Sequence, residues 1–197
     1  MPKIVNHEKK RKVIAEATWR IISEQGMEGA TVRNIAEEAG LSLGALQHYF
    51  SSQAGLLSYA MDLVIERVTT RINTVAANDL PPKQMVVEIL LQAIPTDKET
   101  MLEMKVWFEF VMYARNKPEL HKVQGDEILR NIKAFLERLG RLGLLRADLD
   151  VAVEADKLYT LVDGMALHAM LKPDIWHKDR IVAVLMNHVD YLFAEGK

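Results

Sequence analysis

Residues 31–57, TVRNIAEEAGLSLGALQHYFSSQAGLL, hold two short helical patterns separated by a glycine. Thr31 precedes the apolar positions Val32, Ile35, Ala36 and Ala39, and a hydroxyl residue just before such a run is a favoured N-cap. Gly40 breaks the pattern, and Ser42 caps a second run reaching about Phe50. Two short helices with separate caps and a tight glycine turn between them form a helix-turn-helix. In that motif the second helix enters the DNA major groove while the first crosses the backbone. Here the second helix opens with Ser42, Leu43, Gly44 and Ala45, small or unbranched side chains that let a helix sit deep. Gln47 and His48 follow, polar groups suited to base edges or phosphates. A glycine inside so short a helix costs about 1 kcal/mol against alanine, a cost that close approach to DNA would explain.

Working outward, Val13, Ala17 and Ile21, flanked by Ile14, Thr18 and Ile22, give the stripe of a first amphipathic helix, which Gly26 ends. Ser51 or Ser52 starts a fourth helix over 52–77, with Leu56, Leu57, Ala60, Leu63 and Val64 on its inner face. Ile35, Ala36, Ala39, Leu46, Phe50 and Leu56 are expected in the core. The segment NDLPPK (78–83) separates a fifth helix at 83–93. Thr96 with Glu99 reads as a capping box for a sixth at 97–115. Pro118 fits the first turn of a seventh, whose Leu129, Ile132, Phe135, Leu136 and Leu139 share one side. GRLGLL (140–145) is a turn, and helices at 150–171 and 177–194 follow, divided by Pro173. No repeat or strand-like alternation interrupts this, so the expected fold is all-α with about nine helices. Residues 1–52 read as a helix-turn-helix domain, 53–197 as a larger domain, and the fourth helix as their connector.

Composition fits a globular protein: 49% of the 197 residues are apolar and 26% charged. The absence of cysteine excludes disulfides and thiolate metal sites. The start, MPKIVNHEKKRK, lacks the apolar stretch of a signal peptide, and no later run is long enough to span a membrane. A cytoplasmic location with no membrane partner is expected. Net charge is −2, so the chain as a whole is not basic. Local asymmetry is confined to the start, where Lys3, Lys9, Lys10, Arg11 and Lys12 face only Glu8. That segment reads either as a phosphate-contacting arm or as a solvated terminus.

The Ser-x-Gly-x-Leu-x-His-Tyr-Phe string at 42–50, preceded by Thr-Val-x-x-Ile-Ala at 31–36 and the Gly40 turn, resembles the TetR family of bacterial regulators. The match covers about residues 10–60. It implies nine or ten helices, a homodimer built on the last two helices, a double-stranded DNA operator and a cavity for a small-molecule effector in the larger domain. Carried across, it places Thr31 and Arg33 near the DNA backbone and Ser42, Leu43, Gly44, Gln47, His48 and Tyr49 on or beside the DNA. Two positions depart from the family pattern. Gln47 stands where an aromatic is frequent, and Gln53 where a phosphate-binding lysine is usual. Gln53 retains a donor and the fourth helix offers its N-terminal amides, but the lost charge should lower affinity and flatten its salt dependence. Residues 9–12 are the candidates to compensate.

In the larger domain the sixth helix, MLEMKVWFEFVMYAR (101–115), is apolar nearly all round and reads as buried on most sides. Met104, Trp107, Phe110 and Tyr113 are its candidate pocket residues, with core packing as the plainer role. In the eighth helix, LVDGMALHAML (161–171) resembles the corresponding segment of choline-responsive repressors of the glycine-betaine pathway. That likeness adds Asp163 and His168 to the pocket set, with Asp163 and the aromatics as a cage for a cation. Gly164 would let a partner helix approach closely. His168, His177 and His188 lack metal-ligand spacing, so no metal and no cofactor is expected beyond the unidentified effector. No nucleophile–base pair, phosphate-binding glycine loop or HExxH argues for an enzyme. The reading is a repressor released by its effector; the alternatives are a helical interaction protein with weak or lost DNA binding, or an activator.

Overall fold

The structure, a computed structural model, describes residues 2–118, 120 and 126–194, with the side chains of 7–118, 120 and 128–194. Among the described residues nine helices follow one another and no strand forms: α1 (Pro2–Gly29), α2 (Val32–Glu38), α3 (Leu43–Tyr49), α4 (Gln53–Ala76), α5 (Pro82–Leu91), α6 (Lys98–Ala114), α7 (Asp126–Arg141), α8 (Val151–Leu171) and α9 (Lys178–Leu192). They pack as two compact units, Met1–Arg67 with Leu102–Gln124, and Val68–Met101 with Gly125–Lys197. These units do not follow a boundary at 52/53, because α4 and α6 are each divided between the two units.

In the first unit, α1 starts at Pro2, well before the expected Val13, since nothing between Pro2 and Gly26 breaks a helix and Pro is tolerated in a first turn. Gly26 interrupts it with φ 70°, ψ −178°. Ile14, Ala15, Trp19 and Ile22 bury completely or nearly so against Ile35, Leu46, Phe50 and the α4 residues Leu56, Leu57, Ala60 and Met61. The Trp19 indole donates to the Ala60 carbonyl at 3.0 Å, tying α1 to α4. Arg67 lies over Trp19 at 4.7 Å and pairs with Glu16 and with the buried Glu103. A buried carboxylate without such a partner would be costly.

Two sequence expectations for α6 need correction. Its N-cap is Asp97, not Thr96. Asp97 Oδ1 accepts from the Thr100 amide at 2.9 Å, and Thr100 Oγ1 accepts from the Asp97 amide at 3.2 Å. That is the reciprocal capping-box geometry, one residue later than expected, and the Glu99 backbone also hydrogen-bonds the Asp97 carboxylate. Nor is the helix buried all round: Glu103, Val106, Phe110 and Ala114 form its inner stripe, whereas Met112 is 66% exposed. Around Pro118 short turns run from the Lys117 amide to Ala114 O and from the Leu120 amide to Lys117 O, each 2.9 Å. The expected start of the next helix runs into residues 119 and 121–125, which lie outside the described residues, and α7 is described as Asp126–Arg141.

In the second unit, α7 packs on α8 and α5 on α9. Val86, Val87, Leu90 and Leu91 meet Leu158, Val162 and Met165 of α8 and Ile181, Leu185 and Val189 of α9 in one core, which the α7 stripe of Leu136 and Leu139 joins as expected. Gly143 (φ 67°) makes the turn after α7. Leu145 then pairs with Phe193 through Arg146 N to Leu192 O (3.0 Å) and Ala194 N to Leu144 O (2.9 Å).

Candidate nucleic-acid interface

The first unit builds its reading surface from short-range chemistry. Thr31 Oγ1 accepts from the Asn34 amide and Ser42 Oγ from the Ala45 amide, each at 3.2 Å, so both expected caps are made. Between them Gly40 takes φ 64°. Its amide bonds Glu37 O at 3.0 Å while the Leu41 amide bonds Ala36 O at 2.8 Å, the paired closure of a Schellman turn. Ion pairing of Arg20 with Glu38 ties α1 to α2.

These anchors present one side of α3 outward. Leu46 and Phe50 are buried, whereas Ser42, Leu43, Gly44, Gln47 and His48 are exposed and Tyr49 is half-buried. Leu43, Gly44, Gln47 and His48 follow the helical spacing of a single stripe. Leu43, a large apolar side chain, is 45% exposed. A Cβ built on Gly44 would meet no atom within 4 Å, so nothing inside the chain requires glycine there. Thr31 and Arg33 are exposed at the start of α2. Arg33 and Leu43 flank a shallow hollow of about 370 Å³ with Ala36, Glu37 and Leu41.

Gln53 is placed differently from its expected role at a phosphate. Its Nε2 donates to the Ala30 carbonyl at 2.7 Å, so the side chain braces the start of α4 against the turn before α2. The basic run at 9–12 is not a free arm. It is part of α1, Arg11 lies over the rings of Tyr59 (4.1 Å) and Phe50 (4.9 Å), and Lys12 pairs with Glu66 at 3.0 Å. Of that run Lys9 and Lys10 are exposed, whereas Arg11 and Lys12 are partly buried. The sequence carried no sign of Arg11's aromatic seat, because Phe50 and Tyr59 lie about forty residues away or more.

The expected pocket residues fall into both packing units. Met104, Trp107, Phe110 and Tyr113 belong to the first, Asp163 and His168 to the second. Phe110 is 1% exposed and fully engaged in the core, and the Lys117 ammonium already lies 4.4 Å from the Tyr113 ring centre. Asp163 is exposed on α8; desolvation nonetheless raises its carboxyl above the ordinary value, against a hydrogen bond from Tyr159 that lowers it. His168 stacks on Trp176 at 5.6 Å, beside a hollow of about 330 Å³ that Trp176 lines with His177 and Lys178. Sequence reading passed over Trp176. Among the described residues, no group of three His, Cys, Asp or Glu side chains could hold a metal ion, and no helix is long and apolar enough to cross a membrane.

Comparison with known proteins agrees with this geometry. Residues 14–60 match the family described as bacterial regulatory proteins, tetR family, and residues 82–194 match the BetI-type transcriptional repressor C-terminal family. The chain is 53% identical over 195 residues to the HTH-type transcriptional regulator PksA of Bacillus subtilis, covering 99% of this chain and 95% of the relative. It is 26% identical over 196 residues to the HTH-type transcriptional regulator BetI of Serratia proteamaculans, covering 97% and 96%. Among solved structures, a transcriptional regulator from Rhodococcus superposes with a TM-score of 0.80 at 26% identity, over 92% of this chain and 95% of that one. Matched in both its N-terminal and its C-terminal part, the chain belongs to the TetR family of helix-turn-helix transcriptional regulators.

Proposed function

We propose that the protein is a dimeric repressor that binds a roughly palindromic operator through α3 and is released by a small-molecule effector. The observation that carries the DNA face is Gly44. It sits in a helix of seven residues, its Cβ position is open, and Leu43, Gln47 and His48 around it are exposed. A helix lying in a major groove needs that close approach. Gln47 and His48 supply base-edge contacts, Thr31, Arg33, Ser42 and Tyr49 supply backbone contacts, and Leu43 meets a thymine methyl or sugar.

Dimerisation is supported by α8 and α9. Each buries one side in the second core, yet Val153, Leu171, Ile175 and Tyr191 remain 45–62% exposed on or beside them, and a Cβ on Gly164 would meet nothing within 4 Å. Pairing these two helices with their copies across a two-fold axis forms a four-helix bundle and presents two α3 helices to two half-sites. Repression rather than activation follows the BetI-type repressor match over residues 82–194. Release then requires an effector that binds the DNA-free arrangement better; coupling of about 1–3 kcal/mol corresponds to about 5–150-fold.

The test is a gel shift with duplex DNA from upstream of the protein's own coding region, beside sedimentation of the free protein. The expected result is a discrete complex from a dimer, with Gly44→Leu weakening binding about tenfold or more, or about 1.4 kcal/mol, while α-helical content is unchanged. Equal binding by wild type and Gly44→Leu would sink the assignment of this face.

A further inference from the structure

The amino-terminal end of α1 runs back along the reading helix. The His7 ring lies 4.9 Å from the Tyr49 ring, tilted by 39°, and 6.3 Å from the His48 ring in an edge-on arrangement. His48 and Tyr49 are themselves 5.6 Å apart, edge to face. Spacings of this order, offset or edge-on, are the ones aromatic rings prefer.

Three further ties hold this part of α1 in place. The Tyr59 hydroxyl donates to Glu8 Oε1 at 2.5 Å, and burial together with that carboxylate keeps the phenol above its ordinary pKa, so it remains a donor. Arg11 pairs with Glu8 at 3.8 Å and covers Tyr59 and Phe50. Lys12 pairs with Glu66 at 3.0 Å. Residues 7–12 are therefore registered on the end of α3 and on α4 at four successive points.

A helix as short as α3 has little stability of its own and takes its order from packing. Leu46 and Phe50 are buried on its inner side, whereas His48 is exposed and meets the rings of Tyr49 and His7. His7 adds a constraint on that outward side.

We infer that His7 is a positioning residue for DNA reading, whose ring holds Tyr49 and His48 in one arrangement and so sharpens sequence discrimination without contacting phosphate. This rests on the DNA-reading role of α3. The side chain acts by pre-organisation, so its ring matters and its charge does not. A phosphate-contacting arm would show the reverse.

The test compares wild type with His7→Ala, His7→Phe and His7→Lys, using upstream duplex DNA and a random-sequence duplex of equal length at two salt concentrations. His7→Ala should lower the ratio of specific to random affinity about three- to tenfold with the salt slope unchanged. His7→Phe should restore the ratio and His7→Lys should not. Restoration by lysine and not by phenylalanine, or undiminished discrimination in His7→Ala, overturns the inference. Amide hydrogen exchange of residues 46–50 in the free protein gives a reading independent of DNA. Exchange should quicken in His7→Ala and match wild type in His7→Phe, and unchanged exchange in His7→Ala also overturns it. Should wild type form no specific complex, the operator-binding proposal fails, and hydrogen exchange alone then decides the clamp.

Discussion

Gly40 and Gly44 stand four positions apart and lack a side chain for different reasons. Gly40 has φ 64°, a conformation that costs an L-residue about 1–2 kcal/mol. Gly40→Ala should therefore destabilise the protein by about that amount in urea denaturation, and an unchanged midpoint would contradict the turn as described. Gly44 is helical with open space around it, so Gly44→Ala should stabilise the fold by about 0.5–1 kcal/mol, the helix-propensity difference, while weakening operator binding. Opposite signs for stability and binding at one residue mark a position shaped by a partner rather than by the core. The need for glycine at position 40 was legible from the sequence, since a tight turn between two capped helices calls for it. The freedom around Gly44 became visible only when its neighbours were placed.

At the start of α6 a local rule was read one residue out of register. Thr96 and Glu99 satisfy the capping-box pattern as letters, but so do Asp97 and Thr100 once threonine is allowed as the returning acceptor, and the backbone chose the second pair. Asp97→Ala should cost about 1 kcal/mol, whereas Thr96→Ala and Glu99→Ala should stay within about 0.5 kcal/mol. The Thr100 amide, ahead of weaker neighbours, holds the Asp97 carboxyl below its ordinary value. A depressed carboxyl stabilises the fold above the unfolded pKa of about 4, and that contribution disappears as pH falls through the folded value. Asp97→Asn should thus flatten the acid side of the stability profile below about pH 4; an unaltered slope would show that the cap carries no charge term. The same helix illustrates a limit of hydrophobic pattern. Apolar letters nearly all round predicted burial nearly all round, yet only the Glu103, Val106, Phe110, Ala114 stripe is inside, because a helix at the edge of a core buries one stripe whatever its other sides carry.

At the scale of the whole molecule, one described group that links stability to pH near neutrality is His188. Its Nε2 is buried without a partner, and burial lowers its pKa, opposed by Glu154 and assisted by Lys157. Because the unfolded chain takes up the proton more readily, stability should be lost as pH falls below about 6.5. His188→Leu should shrink the difference in thermal midpoint between pH 7.5 and 5.5. Asp62 and Asp163, whose carboxyls desolvation raises, act in the opposite sense, so the comparison of His188→Leu with wild type, in which both keep those carboxyls, isolates His188. An equal pH dependence in His188→Leu would remove His188 from that role. The sequence by itself determined the helices, their glycine breaks, the Thr31 and Ser42 caps, the outward stripe of α3 and the family, because these depend on contacts within about one helical turn. Tertiary structure alone decided that Gln53 braces Ala30, that Arg11 is seated on Tyr59 and Phe50, that His7 meets Tyr49, and that α4 and α6 are each divided between two packing units. Each of those depends on bringing together residues far apart along the chain, and periodicity carries no record of which distant partner a side chain will find.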